Sequence, residues 1–230
     1  MRIACNLLTS FAALVLLATS ARAEEARPPG FADASTIATG LAVEMRYFGT
    51  DNFVGRRIDG YQAPVCILTR DAATALAGVQ QDLAPFGLGL KAFDCYRPQR
   101  AVADFVAWAA DPKDQAQKSR FYPKIDKRDV FKLGYVAERS GHSRGSTIDL
   151  TLVDRATGRE IDMGGPYDLF DPISWPTAEG MTSAQRAHRL LLRASMRARG
   201  FRPYEQEWWH FTLENEPFPD TYFDFPVAAR

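Results

Sequence analysis

From Thr69 onward the apolar residues Ala72, Leu76, Val79 and Leu83 recur at helical spacing, with Thr69 standing where an N-cap belongs. Pro85 and Gly87 close that helix. Leu88 to Phe93 reads as a strand that delivers Asp94-Cys95-Tyr96-Arg97-Pro98, and Pro98 suits the first turn of a helix carrying Val102, Phe105, Val106 and Trp108. Thr147 to Leu152 alternates cleanly. Ile148, Leu150 and Leu152 take one face and Thr147, Asp149 and Thr151 the other, the pattern of a half-buried strand presenting Asp149 away from the core. Val43 to Tyr47 alternates as a further strand, running into a glycine-bounded loop over 49–55. Thr182 with Gln185 makes a capping box for a helix through Arg199, stopped by Gly200. Trp208 to Leu213 is rich in β-forming residues. Residues 111–139 are a long polar connection of the kind that shapes binding sites. Helices and strands do not alternate regularly, and adjacent strands read as hairpin-linked. The expected fold is therefore α+β, a central antiparallel sheet with flanking helices.

The N-terminus departs from this globular pattern. Arg2, an apolar run from Phe11 to Ala18, and Ala21-Arg22-Ala23 have the order of a secretory signal peptide over residues 1–23. The run is well short of the ~20 residues of a spanning helix, so no membrane segment is expected after cleavage near Ala23. Residues 24–38 read as a loose segment and 39–230 as one domain. The expected location is periplasmic or secreted. Removal of Arg2 and Arg22 leaves 26 basic against 28 acidic residues, which argues against a nucleic-acid partner. Only Cys66 and Cys95 then remain. In an exported chain that pair suggests a disulfide, the alternative being two buried thiols.

Two stretches hold the chemistry, Ser140-Gly141-His142-Ser143-Arg144-Gly145-Ser146-Thr147-Ile148-Asp149 and Glu207-Trp208-Trp209-His210. His142, His210 and Asp149, with a fourth position left for water, make a common catalytic zinc set. Glu207, unbound, is the general base such a site needs. Residues i and i+3 of an unbroken strand face opposite sides, so a bulge or turn around Trp208 is required to bring Glu207 and His210 together. Taken singly, each histidine reads equally as a satisfied polar residue and each acid as a surface charge; their joint placement favours a site. His188, within an arginine-rich helix, is assigned to the solvated face. Gly141-His142-Ser143-Arg144-Gly145 also matches G-x-S-x-G, with Asp168 and His210 following in the order of a serine hydrolase. That elbow needs a strand before it and a helix after it, and here a strand follows.

S-x-H-x-x-G-x-x-x-D followed about sixty residues later by E-W-W-H resembles the zinc D-alanyl-D-alanine dipeptidases of the VanX type. Their relatives are zinc D,D-carboxypeptidases, and the hedgehog signalling domain is a remote fold cousin. Tyr47 with Asp51-Asn52-Phe53, Asp94-x-Tyr96-Arg97-Pro98, and Met163-Gly164 with Tyr167-Asp168 extend the similarity over most of the mature chain. Thr147 stands where the family usually has alanine. The resemblance implies a hedgehog/D,D-peptidase-like fold and one Zn(2+) per chain on His142, Asp149 and His210. It implies Glu207 as general base, Arg97 as stabiliser of the tetrahedral intermediate, and Asp168 as holder of the free amino group. Ser140, Asp94 and Tyr47 are implied as pocket members, and an Arg97–Asp94 ion pair is the structural alternative for Arg97. The substrate implied is the small dipeptide D-Ala-D-Ala, with no obligate protein partner. A carboxypeptidase acting on peptidoglycan stems and a non-catalytic zinc-stabilised binding module are the alternatives.

Overall fold

A computed structural model describes residues 26–230; the signal-peptide reading of residues 1–23 lies outside them. In chain order the elements are β1 (Phe31–Asp33), β2 (Ala42–Val43), β3 (Ile67–Thr69), α1 (Arg70–Leu83), β4 (Leu88–Asp94), α2 (Gln99–Ala110), α3 (Lys118–Phe121), β5 (Thr147–Asp154), α4 (Ser183–Ala198), β6 (Phe201–Tyr204) and β7 (Glu207–Leu213). Five strands form one sheet in the order β2-β4-β5-β7-β6, and β1 pairs with β3 in a second, two-stranded sheet. The class is α+β, as the periodicity predicted.

The helix signals translate directly. The Thr69 side chain accepts from Ala72 N and starts α1, whose Ala72, Leu76, Val79 and Leu83 are buried. Thr182 and Gln185 form the reciprocal capping box of α4. Pro98 is the N-cap of α2, which buries Val102, Phe105 and Trp108 but leaves Val106 exposed. Helix α1 packs on β3 and β4, and α4 on β5, β6 and β7. Among the described residues no helix is long and apolar enough to cross a membrane.

Four expectations need correction. The sheet is not wholly antiparallel, because edge strand β2 runs parallel to β4. The chain between them contains α1, the kind of crossover a parallel pair requires. The strand expected over 43–47 is only Ala42–Val43; a turn follows, with Phe48 N bonding Met45 O, and Tyr47 sits on that turn. Residues 31–38 are not loose. Phe31 pairs opposite Thr69 in β1, and Phe31, Ala34 and Ala38 are buried. Strand β5 is buried on both faces, Thr147, Asp149 and Thr151 included, since the polar face is covered by the loops that build the site.

Phe31 also explains a glycine of the central motif. Gly145 adopts φ 83°, and a Cβ there would lie 2.1 Å from Phe31 Cε1, so this left-handed turn into β5 admits no side chain. Cys66 and Cys95, both fully buried, are joined by a disulfide with Cα atoms 5.3 Å apart, tying the residue before β3 to the residue after β4 across a separation of 29. On a loop-entropy basis the bridge stabilises by about 3.5 kcal/mol. The double variant C66A/C95A should lose stability of that order in urea unfolding, and an unchanged midpoint would contradict this account.

Candidate active site

Ser140 starts the short turn Gly141–Arg144, its Oγ accepting from His142 N at 3.3 Å. Gly145 then redirects the chain into β5, where Asp149 points to the same side as His142. His142 Nδ1 lies 2.7 Å from the Cys95 carbonyl. A carbonyl can only accept, so Nδ1 carries the proton and Nε2 presents a lone pair. On the neighbouring strand Asp149 pairs opposite His210.

The bulge required around Trp208 is present. Pro203 of β6 faces Phe211 of β7, yet the next residue, Tyr204, faces Glu207, leaving Trp208 to His210 without partners on β6. That slip turns Glu207 and His210 to one side, with Glu207 Oε2 3.4 Å from His210 Nδ1.

Three ligand atoms converge. His142 Nε2 is 3.3 Å from His210 Nδ1 and 3.3 Å from Asp149 Oδ1, which is 3.0 Å from His210 Nδ1. Zinc bonds of about 2.0–2.1 Å in tetrahedral geometry place ligand atoms roughly 3.3 Å apart, so this triangle fits one such ion. Asp149 Oδ1 is buried and, among the described residues, receives no hydrogen bond, as a ligand oxygen would be. Burial disfavours the ionised form of Asp149, but His142 and His210 outweigh it and hold its carboxyl well below the usual range. Burial pushes the His210 imidazole down, toward the neutral form that binds metal.

Arg97 makes the ion pair considered as its structural alternative, with Nη2 2.8 Å from Asp94 Oδ2. It also lines the cavity, its guanidinium 5.1 Å from the ring centres of Tyr47 and Phe105 and Nη1 3.4 Å from Ser140 Oγ. Asp94 is held in turn by the Tyr61 hydroxyl at 2.6 Å. Pairing therefore aims Arg97 rather than withdrawing it. Asp168 lies beyond, at φ 61°, the only described non-glycine residue with positive φ, and accepts from the Tyr47 hydroxyl at 3.0 and 3.1 Å. Such backbone strain is stored where a side chain must be aimed. Burial, then the charge of Asp149, pushes the Asp168 carboxyl up to about 8. Burial with the charges of Asp149 and Asp168 likewise raises Glu207 well above its usual range. Four carboxylates around one guanidinium make a cavity short of positive charge.

Residues 27–228 match the Peptidase_M15 family, described as D-ala-D-ala dipeptidase. The chain is 46% identical over 198 residues to the D-alanyl-D-alanine dipeptidase of Streptomyces coelicolor, covering 86% of this chain and 98% of that protein. Identity is 43% over 199 residues to that of Enterococcus faecalis and 41% over 198 residues to that of Enterococcus faecium, with the same coverage of each. The chain belongs to the Peptidase_M15 family.

The cavity of this peptidase measures about 230 Å³, below the roughly 300–1,000 Å³ of most ligand pockets. Its wall includes Phe53, Phe105, Trp209, Tyr204 and residues 134–137, the last lying within the long connection expected to shape a binding site; Tyr204 was not singled out by the sequence. Gln206 Nε2 donates to the Leu133 carbonyl at 3.2 Å and the Tyr204 hydroxyl, 2.5 Å from Gln206 Oε1, lies 3.3 Å from the Gly134 carbonyl, setting the β6–β7 hairpin against that loop as a roof. Ser143 is fully buried, its hydroxyl has no partner among the described residues, and it leads into a strand, so the serine-elbow match has no structural counterpart. His188 lies away from the cavity, Nδ1 2.8 Å from the Asp162 carbonyl.

A raised carboxyl means the folded state holds a proton that the unfolded chain releases near its ordinary value of 3.8. The associated stability is present below about pH 4 and is lost as pH rises through about 8. In chelator-treated protein, thermal stability should fall across that window, and D168N should flatten the fall. Parallel profiles for wild type and D168N would refute the assignment.

Proposed function

We propose that the chain is a zinc dipeptidase that splits D-Ala-D-Ala into two D-alanines, exported from the cytoplasm. The observation that carries this reading is the triangle of His142, Asp149 and His210 with Glu207 beside it. These three residues would hold the ion. Bound there, zinc acidifies water toward pKa ~7 and polarises the scissile carbonyl. Glu207 accepts the proton of the attacking water and passes it to the leaving amine. Arg97, fixed by Asp94, donates to the carbonyl oxygen as charge develops there, a contribution of about 3–4 kcal/mol at comparable oxyanion sites. Asp168, steadied by Tyr47, pairs with the ammonium of the free N-terminus, and Ser140 lines the cavity beside Arg97. The small roofed volume and the ammonium pairing favour a dipeptide over the end of a peptidoglycan stem. The signal-like N-terminus and the buried disulfide support export. Outside the cytoplasm the enzyme would serve wall turnover or nutrient recovery, since it cannot drain an intracellular dipeptide pool.

The deciding assay compares D-Ala-D-Ala, N-acetyl-D-Ala-D-Ala and a pentapeptide stem, with and without chelator. Hydrolysis confined to the free dipeptide and abolished by chelator is expected. Preferred cleavage of the stem would make the protein a carboxypeptidase instead. E207A should keep zinc while kcat falls by about 10²–10⁴; unchanged turnover would remove Glu207 from the mechanism.

A further inference from the structure

The cavity-side oxygen of Asp149 faces two imidazoles, but its other oxygen has a single attachment. Tyr167 donates its hydroxyl to Asp149 Oδ2 at 3.2 Å. Among the described residues this is the only hydrogen bond Oδ2 receives, since the nearest guanidinium nitrogen, Arg97 Nη2, is 3.7 Å away. The Tyr167 ring cannot swing freely. It stacks on Phe93 at 4.7 Å between centres and meets Trp209 edge-on at 5.3 Å. Its hydroxyl also approaches the Tyr47 hydroxyl at 3.2 Å, whose own proton serves Asp168. One proton thus has two acceptors in reach, and an ionised carboxylate is the stronger of them.

We propose that Tyr167 is a positioning residue for the metal centre, anchoring Asp149 Oδ2 so that Oδ1 alone joins His142 and His210. The inference rests on the zinc reading above and goes beyond it by naming the group that orients the carboxylate ligand. Without the hydroxyl, the carboxylate is free to rotate about its last bond, offering both oxygens to the ion or turning Oδ2 toward Arg97.

The test reads metal without substrate. Y167F removes one oxygen and preserves the ring packing. By chelator competition it should bind zinc about 10–100-fold more weakly than wild type, the usual cost of losing an outer partner of a ligand. Its cobalt-substituted form should absorb more weakly in the visible, as a four-coordinate site gives way to higher coordination. Y47F, altered in the same aromatic layer but not touching Asp149, should keep wild-type zinc affinity. Zinc affinity of Y167F within about twofold of wild type, or an equal loss in Y47F, overturns the proposal. D149A and H210A separate the two readings. If they retain zinc, the metal site itself is misplaced; if they lose it while Y167F does not, only the role of Tyr167 fails.

Discussion

The pairing of β5 with β7 sets Asp149 directly opposite His210, and the rest of the site is arranged around that one cross-strand contact. Residues facing each other in an antiparallel ladder are held at fixed separation by backbone hydrogen bonds, so two candidate ligands are fixed by the sheet rather than by flexible loops. His142 joins them from the turn just before β5. The slip in the β6–β7 ladder adds Glu207 on the same side. A regular hairpin would have sent Glu207 and His210 to opposite faces of the sheet.

Charge is the second constraint. Asp94, Asp149, Asp168 and Glu207 surround Arg97, and burial raises the cost of leaving so much negative charge uncompensated. Asp94 is accounted for by Arg97 and Tyr61. Asp149 has Arg97 Nη2 at 3.7 Å and the two imidazoles beside it, while Asp168 and Glu207 answer the same surroundings by holding their protons more tightly. On the proposed reading a dication and the substrate ammonium add positive charge beside these groups.

The second layer is aromatic. Tyr47, Tyr61 and Tyr167 each give a hydroxyl to a site carboxylate while their rings sit in the core. Phenols suit this task because the ring is anchored by packing while the oxygen reaches a charged group. The Cys95 carbonyl plays the corresponding part for His142, and the disulfide binds that residue to β3. Precision at the centre therefore comes from buried packing and a covalent tie.

Much of this was legible in the linear chain. Caps at Thr69 and Thr182, the alternation of β5 and the glycine stops are local signals, and local backbone preferences decide them. The candidate ligands and base were legible because zinc chemistry demands particular side chains, and their spacing even required the kink at Trp208. Other features depended on distant partners and left no periodic trace. The parallel edge strand β2, the burial of Phe31 beneath Gly145 and the covering of the polar face of β5 all follow from long-range contacts. So do the roof of loop 134–137 and the hydrogen bond from Tyr167 to Asp149. The sequence by itself determined the chemistry available and the local elements that bear it. The tertiary structure alone decided which oxygens and nitrogens meet, because that depends on register, burial and packing between residues far apart in the chain.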